Sequence, residues 1–141
     1  MNINYSTSII IPAYNSQKTI EKCLNNIIKE SKKLESEIIV VDDNSSDETI
    51  EIVEKFKTIK LVKLDSNKGV GNARNVGSKI AKHEILCFVD SDLIIANNSI
   101  VNLIKKLNQN SNIGSVSAIQ EVINLNTKDW SSNFVCLKSC Y

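Results

Sequence analysis

Arginine occurs once in this chain, at position 74, and proline once, at position 12. Aromatic residues make up 5% of the 141, glycines number 4, and there is one histidine. So few rings exclude the stacking platforms that hold single-stranded nucleic acid. A net charge of +1 supplies no field for a duplex or an anionic membrane surface, so no nucleic-acid partner is expected. No apolar run approaches the roughly 20 residues that cross a bilayer, and Met1 to Tyr5 have neither the basic start nor the apolar core of a secretory signal. A cytoplasmic location is the default these absences leave, with any contact at the inner face of a membrane assigned to segments outside these residues. The cysteines, at 23, 87, 136 and 140, lack the Cys-x-x-Cys spacing of zinc and redox motifs. Cys23 and Cys87 read as small core residues, while Cys136 and Cys140 could meet only on a helical last segment.

What the chain has is a repeated alternation of short apolar runs and amphipathic stretches. Ser8–Pro12, Glu37–Val41 and Ile85–Val89 are nearly continuous apolar runs, the pattern of strands covered on both faces, and Ile59–Leu64 reads as a further strand. Pro12 is expected to stop the first of them, and the lysines around Ile59–Leu64 place that strand near a sheet edge. Between them, Ile20, Cys23, Leu24, Ile27 and Ile28 fall on one helical face starting from about Ser16. Ile50, Val53 and Phe56 mark a second helix, with Ser45 and Glu48 at capping-box spacing. Ala73, Val76, Gly77, Ile80 and Ala81 mark a third. A fourth, with Ile100, Leu103, Ile104 and Leu107 inward, is expected to be capped by Asn97-Asn98-Ser99. Residues 114–123 read as a further strand, and 124–141 carry no pattern. At this length one domain is expected, an α/β fold with a doubly wound, mainly parallel sheet sandwiched by helices.

In such a fold ligands bind beyond the carboxyl ends of the strands, and polar residues gather there. The first exit carries Ala13-Tyr14-Asn15, the second Asp42-Asp43-Asn44-Ser45, the fourth Asp90-Ser91-Asp92. Five of the seven aspartates, at 42, 43, 47, 90 and 92, follow two strands. A bare Asp-x-Asp arises by chance about 0.3 times in such a composition, so its place after a buried strand carries the inference. Residues two apart on an extended segment face the same way, and Asp90 and Asp92 can share one hard cation. Lys68 and Arg74 lie in the loop and helix that follow the third strand; Arg74, a planar fork of donors, suits a phosphate or a base carbonyl. Acids, a cation and basic groups on one edge describe a metal-bridged polyphosphate.

Four segments in order carry a resemblance. Ser8-Ile9-Ile10-Ile11-Pro12-Ala13-Tyr14-Asn15, Ile39-Val40-Val41-Asp42-Asp43-Asn44-Ser45-Ser46-Asp47, Asn67-Lys68-Gly69 with Ala73-Arg74-Asn75-Val76-Gly77, and Phe88-Val89-Asp90-Ser91-Asp92 resemble the family-2 type glycosyltransferases of the GT-A, Rossmann-like fold. The resemblance implies a nucleotide-diphosphate sugar donor, most often a UDP-sugar, and inverting transfer to an acceptor hydroxyl, with the acceptor unspecified. It implies that Pro12, Tyr14, Asp42 and Asp43 frame base and ribose, that Lys68 and Arg74 help hold the nucleotide, and that Asp90 lies near ribose and metal. Asp92, with Asp90, would hold Mn²⁺ or Mg²⁺ at the diphosphate. The family's general base lies on a later segment, and Asp129, the one acid after residue 123, lacks the family's surroundings. Residues 1–141 are therefore expected to be a single GT-A type nucleotide-sugar-binding domain, incomplete because it is truncated before the acceptor half. Self-association through surface exposed by that truncation is the corresponding expectation.

Other readings of the layout fit less well. A dinucleotide site wants its glycine fingerprint after the first strand, where Pro12-Ala13-Tyr14-Asn15 has no glycine. A phosphohydrolase with Asp90 as nucleophile wants the motif near the N-terminus, and a receiver domain wants paired acids on the first strand. The alternative of a different class is a non-catalytic nucleotide-sugar binding or regulatory module, which the missing base favours.

Overall fold

A computed structural model of the chain describes residues 6–118 and 135–138. Strands β1 (Ser6–Ala13), β2 (Glu35–Asp42), β3 (Ile59–Lys63), β4 (Ile85–Phe88), β5 (Ser115–Ser117) and β6 (Val135–Lys138) alternate with helices α1 (Ile20–Ser31), α2 (Thr49–Glu54), α3 (Val70–Ile80) and α4 (Ser99–Leu107) through the first five strands. The sheet order is β3-β2-β1-β4-β6-β5. The first four strands are parallel, with β1 between β2 and β4, while β6 runs antiparallel to both β4 and β5. The parallel, doubly wound α/β expectation therefore holds for the four strands that carry the site, and β3 is at the edge.

Burial on both faces explains why β1, β2 and β4 read as unbroken apolar runs. Ile9, Ile11, Ile38, Val40 and Cys87 face α1 and α4, packing on Ile20, Leu24, Ile27, Ile100 and Ile104. The alternate residues Ile39 and Val41 face α3 and pack on Ala73, Val76 and Ile80. In α2, Val53 is buried, and Ile52 of the helix and Phe56 just beyond it, rather than Ile50, lie against the core.

Pro12 does not stop β1, which runs on to Ala13 in register with Asp42. The carbonyl of Ala13 accepts from the Asp43 N–H at 2.8 Å, toward β2, while that of Ile10 accepts from the Val89 N–H at 3.0 Å, toward β4. Backbone groups of alternate residues point to opposite sides of a strand, so the Pro12 nitrogen faces β4. A proline there cannot donate the next ladder bond, and it ends the pairing on that side only. The chain leaves β4 at this level, and a crevice opens between β1 and β4.

Three local expectations are corrected. The capping box does not form: Ser45 donates to Asp42, and Asp47, not Ser45, accepts from the Thr49 N–H at the start of α2. Asn98 precedes α4 with φ 62° and no side-chain cap; the carboxamide oxygens of Asn97 and Asn98 accept from Lys33 instead. Helix α1 begins at Ile20, because residues 16–19 are spent on a turn closed by Thr19 N–H to Ser16 O. The strand expected over 114–123 is described as Ser115–Ser117, and residues 119–134 lie outside the described residues. The unpatterned last segment contributes β6, whose Cys136 pairs in register with Cys87 and is disulfide-bonded to it, Cα to Cα 4.2 Å. Cys136 is thus tied to the site strand rather than to Cys140, which lies outside the described residues together with Asp129 and Trp130. Among the described residues no helix is long and apolar enough to cross a membrane.

Two glycines of α3 should respond oppositely to alanine. A Cβ at Gly77 would lie 2.5 Å from Ile10 Cγ2 and 3.3 Å from Val41 Cγ2, on the buried sheet. A Cβ at Gly71 meets nothing within 4 Å. Overpacking costs about 1–3 kcal/mol, against a helix-propensity gain of about 1 kcal/mol. Urea unfolding should show Gly71→Ala stabilised by up to about 1 kcal/mol and Gly77→Ala destabilised; a stabilised Gly77→Ala would contradict the close approach of α3 to β1.

Candidate functional site

The crevice beyond β1, β2 and β4 is a cleft of about 800 Å³, at the point where strand order reverses on either side of β1. Its walls are loops cross-stitched by side chains rather than by ladders. The Asn15 N–H donates to Ser45 Oγ (2.9 Å), the Ser46 N–H to Asn15 Oδ1 (2.8 Å), the Ser16 N–H to Thr49 Oγ1 (2.7 Å) and the Gln17 N–H to Asp47 Oδ2 (3.1 Å). These bonds lock the β1 exit to the β2 exit. Asn15 and Asn44 take positive φ, 48° and 64°, a backbone region that asparagine tolerates better than most residues. Tyr14, between the anchored residues, is left 51% exposed in the cleft.

The two acids after β2 have separate tasks. Asp42 is fully buried and accepts from the Ser45 N–H and hydroxyl, which holds the turn. Asp43, 3% exposed, lines the cleft and accepts from the backbone N–H groups of Lys68 (2.9 Å) and Gly69 (2.7 Å). Gly69 has φ 87°, where a side chain would be strained. The third exit loop is thereby pinned to the second, and α3 starts beside the cleft. From α3, Arg74 reaches across to β4, its Nη2 2.6 Å from Asp90 Oδ1. Both side chains are mostly covered, at 23% and 20% exposure, so this is no solvated surface pair. Arg74 Nε is buried and has no hydrogen-bond partner among the described residues. An unmet buried donor costs about 1–3 kcal/mol, which favours an acceptor arriving in the cleft.

Asp92 stands exposed on the rim beside Ser91, whose hydroxyl is 2.8 Å from that of Ser16. The negative field of this edge reaches the interior. Burial pushes the Cys23 thiol up to about 12, with Asp92 and then Asp90 adding to the rise. Burial also raises Asp47, but hydrogen bonds from the Thr49 hydroxyl and from the N–H groups of Gln17 and Thr49 outweigh it and hold the carboxyl below its usual range.

Of the residues singled out from the sequence, Pro12, Tyr14, Asp43, Arg74, Asp90 and Asp92 line this one cleft. Asp42 and Lys68 are not among its lining residues: the first is buried beneath it, and the second contributes its backbone N–H while its side chain is exposed. Asp47, placed at the second exit by the sequence, lines the cleft as well, and so do Ser16 and Gln17, which the sequence did not single out. Asparagines placed where a strand gives way to a helix are the one signal of such stitched turns. Among the described residues no group of three or more His, Cys, Asp or Glu side chains could hold a metal ion; Asp90 and Asp92 are the acidic pair on the β4 side.

Residues 8–138 match the Glycosyl transferase family 2. The chain is 46% identical over 90 residues to the poly(ribitol-phosphate) beta-N-acetylglucosaminyltransferase TarS of Staphylococcus aureus, covering 60% of this chain and 16% of that protein. It is 30% identical over 141 residues to a poly-beta-1,6-N-acetyl-D-glucosamine synthase of Staphylococcus epidermidis, covering 93% of this chain and 34% of that one. The chain thus spans about a third or less of these relatives. Among solved structures, TarS 1–349 of S. aureus in complex with UDP-GlcNAc matches with TM-score 0.66 and 38% identity, over 73% of this chain and 31% of that one. The mannosyltransferase PcManGT of Pyrobaculum calidifontis in complex with GDP-Man and Mn²⁺ matches with TM-score 0.75 and 27% identity, over 82% and 35%. The parallel sheet, the cleft at its switch point and the match along nearly the whole sequence agree: this chain belongs to glycosyltransferase family 2.

Proposed function

We propose that the cleft binds a nucleoside-diphosphate sugar, with UDP as the nucleotide, as the donor site of an inverting glycosyltransferase assisted by Mn²⁺ or Mg²⁺. The observation that carries this is the convergence of Asp43, Arg74, Asp90 and Asp92 on one cleft. The UDP-GlcNAc complex of TarS 1–349 supports the choice of nucleotide.

The residues divide the work by chemistry. Tyr14 offers an exposed ring on which a base can stack. Asp43 is held by two amides yet retains acceptor capacity for a base N–H, since a carboxylate has about four lone-pair sites. Asp42 frames this site from below by holding its turn, and Lys68 does so through its amide. Arg74, already committed to Asp90 by one nitrogen, has Nε left to donate to the nucleotide. Asp90 and Asp92 give an all-oxygen donor set of two carboxylates, which fits a hard cation that draws its remaining ligands from phosphate oxygens and water. Bound there, the ion would offset charge on the leaving diphosphate. The acceptor is a hydroxyl of unspecified class.

Calorimetry with UDP tests the metal reading. Binding should strengthen with Mn²⁺ and weaken on chelation, and Asp92→Ala should remove only the metal-dependent part; equal affinity with and without metal would overturn it. Arg74→Ala should weaken UDP binding in both conditions, by roughly ten- to a hundredfold for a charged donor worth about 1.5–3 kcal/mol. Unchanged affinity in that variant would reduce Arg74 to a structural partner of Asp90.

A further inference from the structure

The segment from Val89 to Asn98 bears Asp92 and has no strand or helix to hold it. Among the described residues its backbone–backbone bonds are short-range, Leu93 N–H to Asp90 O, Ser99 N–H to Ala96 O and Asn102 N–H to Asn98 O, apart from the one the Val89 N–H makes to Ile10 O of β1. Arg74 holds Asp90 and Ser16 meets Ser91 at its start; from there on its side-chain support comes from one stripe of α1. Cys23, Asn26, Glu30 and Lys33, on or just beyond α1, are spaced three or four apart and so share a face. Cys23 Sγ lies 3.6 Å from Asp90 O. Asn26 grips Ile95 at both backbone groups, Nδ2 donating to its carbonyl (3.1 Å) and Oδ1 accepting from its N–H (2.9 Å). Glu30, 2% exposed, accepts from the Asn98 N–H (2.8 Å) and from Lys33 Nζ (2.7 Å).

A carboxylate this buried is expensive unless compensated, and a helix interior disfavours asparagine relative to alanine. Both costs are offset by bonds to the same irregular segment. We infer that Asn26 is a positioning residue for the cation, fixing Ile95 and through it the backbone that presents Asp92 to the cleft. This rests on the proposed donor site and adds to it a residue outside the cleft lining. Asn26 reaches the chemistry only through the loop, which separates its effect from that of a ligand. Because alanine is the better helix former, Asn26→Ala spares α1 while it releases Ile95.

The experiment is UDP calorimetry with and without Mn²⁺ on the whole chain and on Asn26→Ala, with hydrogen exchange of the amides of 91–98. The Ile95 amide should lose protection in the variant. The metal-free affinity should hold, and the metal-dependent gain should shrink by roughly tenfold, the effect of about one hydrogen bond's net worth. Proportional loss in both conditions would make Asn26 a structural residue only and overturn the inference, as would a metal-dependent gain that survives intact. A wild-type chain that binds UDP with no metal-dependent gain would overturn the metal reading of the donor site and this inference with it, and one that does not bind UDP would overturn the donor site itself, so the failures are told apart by the wild-type arm.

Discussion

The parting of β1 from β4 is the constraint on which the cleft depends. A parallel sheet gains by pairing every backbone group it can, and its interior has no water to substitute for a missing bond. At Ile10 the ladder to β4 is still made, through Val89. At Pro12 there is no N–H to continue it, while the ladder to β2 goes on through Ala13. The sheet therefore stays closed on one side of β1 and opens on the other, and the loops after β1, β2 and β4 are left to line a gap.

Those loops are irregular, so their order has to come from side chains. The β1 and β2 exits exchange bonds through Asn15, Ser45, Ser46, Thr49 and Asp47. Asp43 draws in Lys68 and Gly69, Arg74 draws in Asp90, and α1 holds the segment after β4. Each carboxylate facing inward is met by amide or guanidinium donors, which is the condition for burying charge without a large penalty. Asp92, on the rim, is exposed, and the negative field it and Asp90 leave is felt as far in as Cys23. The cleft thus has one negative edge and, among the described residues, one buried arginine donor unmet.

The parts legible in the sequence were those set by local pattern. Apolar runs located β1, β2 and β4 because burial on both faces leaves no room for polar alternation, and the lysines of β3 marked it as the edge strand. Helical periodicity located α1, α3 and α4, since one face of each meets the sheet. Turn and cap chemistry was less legible. Ser45 and Glu48 have capping spacing, but the buried Asp42 competes for Ser45, and Asp47 takes the cap at Thr49. Asn97 and Asn98 read as caps and instead answer Lys33. Strand β6 had no signature because its place is decided by an antiparallel pairing with β4, which brings Cys136 to Cys87 from 49 residues away.

The sequence by itself determined the layer architecture, the strand exits and the acids, tyrosine and arginine that meet there, because each follows from local periodicity or from residue type at a strand end. Only the tertiary structure decided what those residues do to one another. It buried Asp42 under a turn while leaving Asp43 to line the cleft, and it turned the lone arginine onto Asp90 with its buried Nε unmet among the described residues. It also brought Asn26 and Glu30 of α1 against a loop some 70 residues later in the chain. Hydrogen bonds of that sequence separation leave no period to read, since they exist only once the sheet has set the distance between their partners.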